Sequence, residues 1–126
     1  MTKFESLKDN FKNALNGFSD SLEEKKTEYV RDSAIKRFEI TFELAWKAIK
    51  ASLEKRGVIC SSPRECFKEA YKQGLINYED VFLEALSERN YTAHIYSEQF
   101  AESIYSRLPK LAKAFVYLQE VLEKEN

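Results

Sequence analysis

The chain has 126 residues, 44% of them hydrophobic and 33% charged, the balance of one folded domain with one sizeable core rather than of a disordered segment. Its formal net charge of -1 excludes a global basic field that would draw in nucleic acid, so any RNA contact must use a local patch. Two cysteines, Cys60 and Cys66, lack zinc-ligand spacing, and a single histidine cannot complete a site, so reduced thiols, no metal and no cofactor are expected.

Three glycines and two prolines interrupt the chain, which favours long helices over many short strands. The stretch from Met1 to Glu5 carries no apolar signal run, and no segment approaches membrane-spanning length. A cytoplasmic protein without a membrane partner is the expectation. Phe4, Leu7, Phe11, Leu15, Phe18 and Leu22 recur at steps of three and four and predict a first amphipathic helix. The charged run Glu23-Glu24-Lys25-Lys26 leads into a longer second helix that reaches about Arg56, with Gly57 placed as a left-handed cap.

That second helix is the densest part of the sequence. Ile35, Phe38, Phe42, Ala45, Trp46, Ile49 and Leu53 cluster on one side, and Trp46 and the phenylalanines read as core. Ile40, Leu44 and Ala48 form a smaller apolar face, either a dimer seam or the contact with the first helix, with contact inside the chain as the preferred reading. Asp32, Lys36, Glu39, Glu43, Lys47 and Lys50 share the polar face.

Ser62-Pro63-Arg64-Glu65 reads as a capping box with proline at the first helical position, starting a short third helix that runs to about Gln73 before Gly74. Tyr78, Phe82, Ala85 and Leu86 give a fourth helix. Between Tyr78 and Pro109 no glycine or proline intervenes, but Asn90, Tyr91 and Thr92 are poor helix formers and favour a break. A last segment carries the stripe Ile104, Leu108, Leu111, Phe115, Leu118 and Leu122, which Pro109 is expected to kink or divide. The whole reads as one all-α domain spanning residues 1–126, a helical bundle of about five helices.

Chemistry concentrates near the end of the fourth apolar segment, in Arg89-Asn90-Tyr91-Thr92-Ala93-His94-Ile95-Tyr96. His94 is the lone histidine, with an unperturbed pKa near neutrality, and Arg89 carries a planar fork of donors suited to phosphate oxygens. A base and a phosphate clamp this close are the pair that metal-independent RNA chemistry needs, although their spacing alone does not decide for it. The plainer readings are a capping histidine and an Arg89 engaged in a surface salt bridge with Glu88 or Glu84.

The run Arg37-Phe38-Glu39-Ile40-Thr41-Phe42-Glu43-Leu44-Ala45-Trp46-Lys47 resembles the second helix of the nucleotidyltransferase substrate-binding protein family, small HEPN-domain proteins. Arg89-Asn90-x3-His94-x-Tyr96 resembles that family's R-x4-H-x-Tyr motif, and the likeness covers nearly the whole chain. It implies an antiparallel HEPN-like bundle that forms a homodimer, with the motifs of two protomers in one cleft. It also implies a cognate minimal nucleotidyltransferase as partner.

In several HEPN families the motif is a metal-independent RNase site. In paired systems such a protein acts as a toxin that the nucleotidyltransferase silences by attaching AMP to the motif tyrosine. An older view of the family is a substrate-binding subunit with no chemistry of its own, with RNA or a nucleotide as the ligand in either case. On these grounds Arg89 and His94 are the candidate catalytic pair and Tyr96 the candidate modification acceptor. Tyr91 is an alternative acceptor or a stacking platform for a base. Glu39, Glu43 and Asn90 are candidates for supporting roles, although solvation and pairing with neighbouring lysines is the nearer explanation for the two glutamates.

Overall fold

The computed structural model describes residues 1–93 and 97–125. They form five helices: α1 (Lys3–Glu23), α2 (Glu28–Lys55), α3 (Pro63–Lys72), α4 (Asp80–Thr92) and α5 (Glu98–Glu123). No strand occurs among the described residues, and no helix is long and apolar enough to cross a membrane. The expected break between the fourth and fifth segments is present, but it falls after Asn90, Tyr91 and Thr92, which still belong to α4.

Helix starts are set by side chains that satisfy otherwise orphaned N–H groups. The hydroxyls of Thr2, Thr27, Ser62 and Ser97 accept from the backbone N–H of Glu5, Val30, Glu65 and Phe100 at 3.1, 3.0, 3.2 and 3.2 Å. Pro63 occupies the first turn of α3, and the Glu65 carboxylate closes the capping box on the N–H of Ser61 at 3.0 Å, one residue earlier than the usual partner. After α2 and α3 the chain turns through Gly57 and Gly74, at φ +79° and +77°. There the N–H of Val58 reaches the carbonyl of Leu53 at 2.9 Å and that of Leu75 reaches Ala70 at 2.8 Å, closing both ends as Schellman motifs.

Contacts between elements fix the bundle's directions. Lys3 meets Glu54 and Lys8 meets Glu123, so α1 runs against both α2 and α5. Arg31 pairs with Glu98 at the start of α5 and Ser52 bonds Glu125 near its end, so α2 and α5 run the same way. Glu84 and Glu88 of α4 meet Lys110 and Arg107 of α5, which makes that pair antiparallel.

The core is one continuous cluster. At its centre five phenylalanines close a ring of contacts through four helices: Phe38 to Phe42 within α2, then Phe67 of α3, Phe82 of α4, Phe115 of α5, and back to Phe38, at centroid spacings of 6.2, 5.8, 5.4, 6.2 and 6.2 Å. Phe11 and Phe18 of α1 join it at 6.1 and 6.0 Å. Such spacings suit edge-to-face and offset pairs, which add stabilisation beyond the area they bury.

Several expectations need correction. Pro109 does not divide the last segment, because α5 continues through it; a proline removes only its own N–H, and the buried stripe from Ile104 to Leu122 holds the helix on the core on both sides. Tyr78 precedes α4 and is 74% exposed, so the apolar stripe of that helix starts at Phe82. Trp46 is only half-buried and Phe100 is exposed, which leaves eight phenylalanines in the core. Cys60 and Cys66 are joined in a disulfide instead of remaining reduced thiols. The short turn into α3 brings their Cα atoms to 5.2 Å, within bridging reach, a proximity that residue spacing alone does not reveal. The smaller apolar face of α2 is split: Ala48 is buried inside the chain, Leu44 half-buried and Ile40 exposed.

Candidate functional site

Arg89 lies in the last turn of α4, where a cation complements the helix dipole, and the Thr92 hydroxyl donates to the Arg89 carbonyl at 2.6 Å. The α4 helix is locked in rotation by Glu88, the residue before Arg89. Glu88 is buried and accepts from Arg107 of α5 at 2.7 Å (Nε) and 3.1 Å (Nη2). With Glu88 turned to α5, Arg89 faces α2.

On that side its guanidinium carbon lies 4.9 Å from the centroid of the Phe42 ring, a cation–π contact on a member of the core ring. One guanidinium nitrogen, Nη1, stands 3.9 Å from Oε1 of Glu43. The other carboxylate oxygen of Glu43 accepts from the indole N–H of Trp46, one turn on, at 2.8 Å. The salt bridges expected for Arg89 with Glu88 or Glu84 are not made; those carboxylates hold Arg107 and Lys110 instead.

Glu39 sits one turn before Glu43 and pairs with Lys36 at 3.6 Å. Together with Ile40 and Leu44 these residues line an open groove of about 380 Å³ along α2. Asn90 and Tyr91 are exposed at the end of α4. His94 and Tyr96 lie outside the described residues. The structure therefore brings Arg89 to Glu43, sets Glu39 in the adjoining groove, and leaves Asn90 and Tyr91 exposed at the end of α4. Among the described residues no cluster of three or more His, Cys, Asp or Glu side chains is arranged to hold a metal.

The segment that follows α4 is bounded on its far side by Ser97 and the start of α5, and that start is docked on α2 by Arg31. This guanidinium is buried and contacts Asp32 at 3.0 Å, Glu98 at 2.7 Å and Glu102 at 3.4 Å, while Lys26 also bonds Glu102. The hydrogen bond from Arg31 holds the Glu98 carboxyl below the usual carboxylate range, and the one from Lys26 does the same for Glu102. Arg31 itself is pushed further up, first by its hydrogen bond to Glu98.

Two residues of this site escape a reading of the sequence alone. Phe42 reads as core, though it also supports Arg89, and Trp46 reads as core, though its N–H holds Glu43. The signal for Trp46 is present in the sequence, since positions three apart share a helix face. That for Phe42 is not, because it depends on where α4 crosses α2.

A family model described as nucleotidyltransferase substrate binding protein like matches residues 4–124. Among solved structures, a protein from Thermus thermophilus superposes with a TM-score of 0.85 at 33% identity, over 90% of this chain and 99% of that one. HI0074 from Haemophilus influenzae, described as having the fold of a substrate binding domain of a nucleotidyltransferase, superposes with a TM-score of 0.73 at 20% identity, over 96% of this chain and 97% of that one. No curated protein shows significant similarity.

Proposed function

Because the chain belongs to the nucleotidyltransferase substrate-binding protein family, we propose that it serves as the partner subunit of a small nucleotidyltransferase and that it is itself a metal-independent endoribonuclease toxin. The observation that carries this reading is Arg89, held on Phe42 and facing Glu43, a residue that lines the open groove along α2, with the rest of the R-x4-H-x-Tyr motif directly downstream in the sequence.

In the proposed reaction His94 takes the proton of an RNA 2′-hydroxyl. The freed oxygen attacks the adjacent phosphorus while Arg89 stabilises the charge that develops on the phosphorane oxygens. The bond to the 5′-oxygen breaks, the leaving oxygen takes a proton from His94 of a second copy, and a 2′,3′-cyclic phosphate and a 5′-hydroxyl remain. Exposed Ile40, beside Glu39 and Glu43, supplies apolar surface where that second copy could pack.

Silencing is the partner's task. The Tyr96 phenol oxygen attacks the α-phosphorus of ATP in the nucleotidyltransferase, pyrophosphate leaves, and the attached AMP sets bulk and negative charge against Arg89 and His94. Tyr91, 60% exposed at the end of α4, is the alternative acceptor.

The test is RNA cleavage by the purified chain in excess EDTA, beside His94→Ala. Wild type should cleave and the folded variant should not. A second reading, a non-catalytic subunit that presents or recognises the nucleotidyltransferase's substrate, is favoured by the family description itself. It predicts no RNA turnover by unmodified protein under any condition, and nucleotide or partner binding weakened by Arg89→Ala.

A further inference from the structure

Two arginines one helix apart are handled in opposite ways. Arg107 closes its fork on Glu88, with Nε and Nη2 each donating to a different carboxylate oxygen at 2.7 and 3.1 Å. Arg89 faces Glu43 with the same chemistry available, yet the shortest approach is 3.9 Å, too long for a hydrogen bond. Its Nε is buried and donates to nothing among the described residues.

The difference lies with Trp46. Its indole N–H holds Oε2 of Glu43 at 2.8 Å, which leaves Oε1 as the oxygen nearest Arg89. We infer that Trp46 is a positioning residue: by restraining Glu43 it prevents a closed salt bridge and keeps the terminal nitrogens of Arg89, on a side chain 32% exposed, open for a phosphate. Glu43 then serves as a loose counter-ion that holds the guanidinium over Phe42 until an anion displaces it. This inference rests on the proposed role of Arg89 as phosphate clamp and adds the device that keeps the clamp free.

The device makes predictions of opposite sign. Trp46→Phe keeps most of the ring and removes the N–H, so Glu43 closes on Arg89 and competes with the anion. Glu43→Gln removes the competing charge. With inorganic pyrophosphate as probe in titration calorimetry, Trp46→Phe should weaken binding and Glu43→Gln should tighten it, each on the order of threefold. The double variant should match Glu43→Gln alone, because Trp46 acts only through Glu43.

Equal weakening by Trp46→Phe in both backgrounds would overturn the inference and leave Trp46 a packing residue. Trp46 is also the only tryptophan, so the wild type gives one indole N–H resonance. Should Trp46→Phe not fold, that resonance decides the matter: pyrophosphate should shift it in wild type and not in Arg89→Ala, and a stationary signal refutes the coupling. Pyrophosphate binding indifferent to Arg89→Ala removes the clamp and this inference together. The expected cycle in a protein that leaves RNA intact removes the ribonuclease reading and upholds the positioning role.

Discussion

Glu88 and Arg107 bind α4 to α5 through two parallel N–H···O contacts, and the Glu88 side chain is almost wholly buried while the Arg107 side chain is 38% exposed. The pair is the rotational lock of α4, because it directs the next residue, Arg89, toward α2. The hydrogen bonds to Glu88 raise the Arg107 pKa, so the guanidinium stays charged throughout the stable range.

Glu88→Ala should therefore destabilise the fold by about 1–2 kcal/mol. Breaking a fully buried pair costs more, but the released guanidinium here reaches water, which discounts the loss. Urea denaturation measures the change. A variant as stable as wild type would mean that apolar packing alone sets the rotation of α4.

Acid should release the start of α5 from α2. The carboxyls of Glu98 and Glu102 titrate below their ordinary value because Arg31 and Lys26 hold them ionised. A folded-state pKa below the unfolded one contributes stability above the unfolded value, and that stability is lost as pH falls through the folded value. The loss thus begins in the ordinary carboxylate range and completes below it, while Arg31 keeps its charge throughout. Amide hydrogen exchange across residues 97–102 should accelerate over that window relative to the rest of α5. Glu98→Gln with Glu102→Gln should flatten the dependence, and an unchanged profile would dissociate these pairs from docking.

How far the sequence can be read follows from how local each signal is. Ser62 and Gly57 act on residues within one turn of themselves, and the stripe from Phe4 to Leu22 repeats at helical steps, so α1, α3 and the end of α2 are legible from spacing. The stripe from Ile104 to Leu122 is equally clear, and it overrides the single missing N–H at Pro109 because burial on both sides outweighs one lost bond. Non-local facts stay hidden. The ring from Phe38 to Phe115 needs four helices to meet, and the Cys60–Cys66 bridge needs a turn geometry that composition does not encode. At the site, motif spacing supplies Arg89, but only the crossing of α4 over α2 reveals that its counter-ion is Glu43 rather than Glu88 or Glu84.

Reduction should weaken the bundle near α3. The disulfide closes a short loop between Cys60 and Cys66, both almost fully buried, and the loop-entropy model assigns such a closure on the order of 2 kcal/mol. Chemical denaturation with and without dithiothreitol measures it, and the Cys60→Ser, Cys66→Ser double variant should respond to neither condition. Equal stability of wild type in both conditions would assign the local stability to the caps at Ser62 and Gly74 and to the packing of Phe67.

Phe42 has two duties that a paired comparison separates. It is fully buried in the aromatic ring, in contact with Phe67, and its face also supports the Arg89 guanidinium. Phe67 is buried to the same degree and also belongs to the ring, but it lies one ring further from the arginine. Replacing either by Leu should therefore cost a similar about 1–2 kcal/mol of folding stability through lost packing. Only Phe42→Leu removes the π face under Arg89, a contact worth about 0.5–1 kcal/mol at a partly exposed site. Pyrophosphate affinity, compared at a temperature where both variants are fully folded, should fall for Phe42→Leu and hold for Phe67→Leu. If both variants lose affinity alike, the site responds to the rigidity of the core as a whole, and the ring beneath Arg89 has no separate part in holding it.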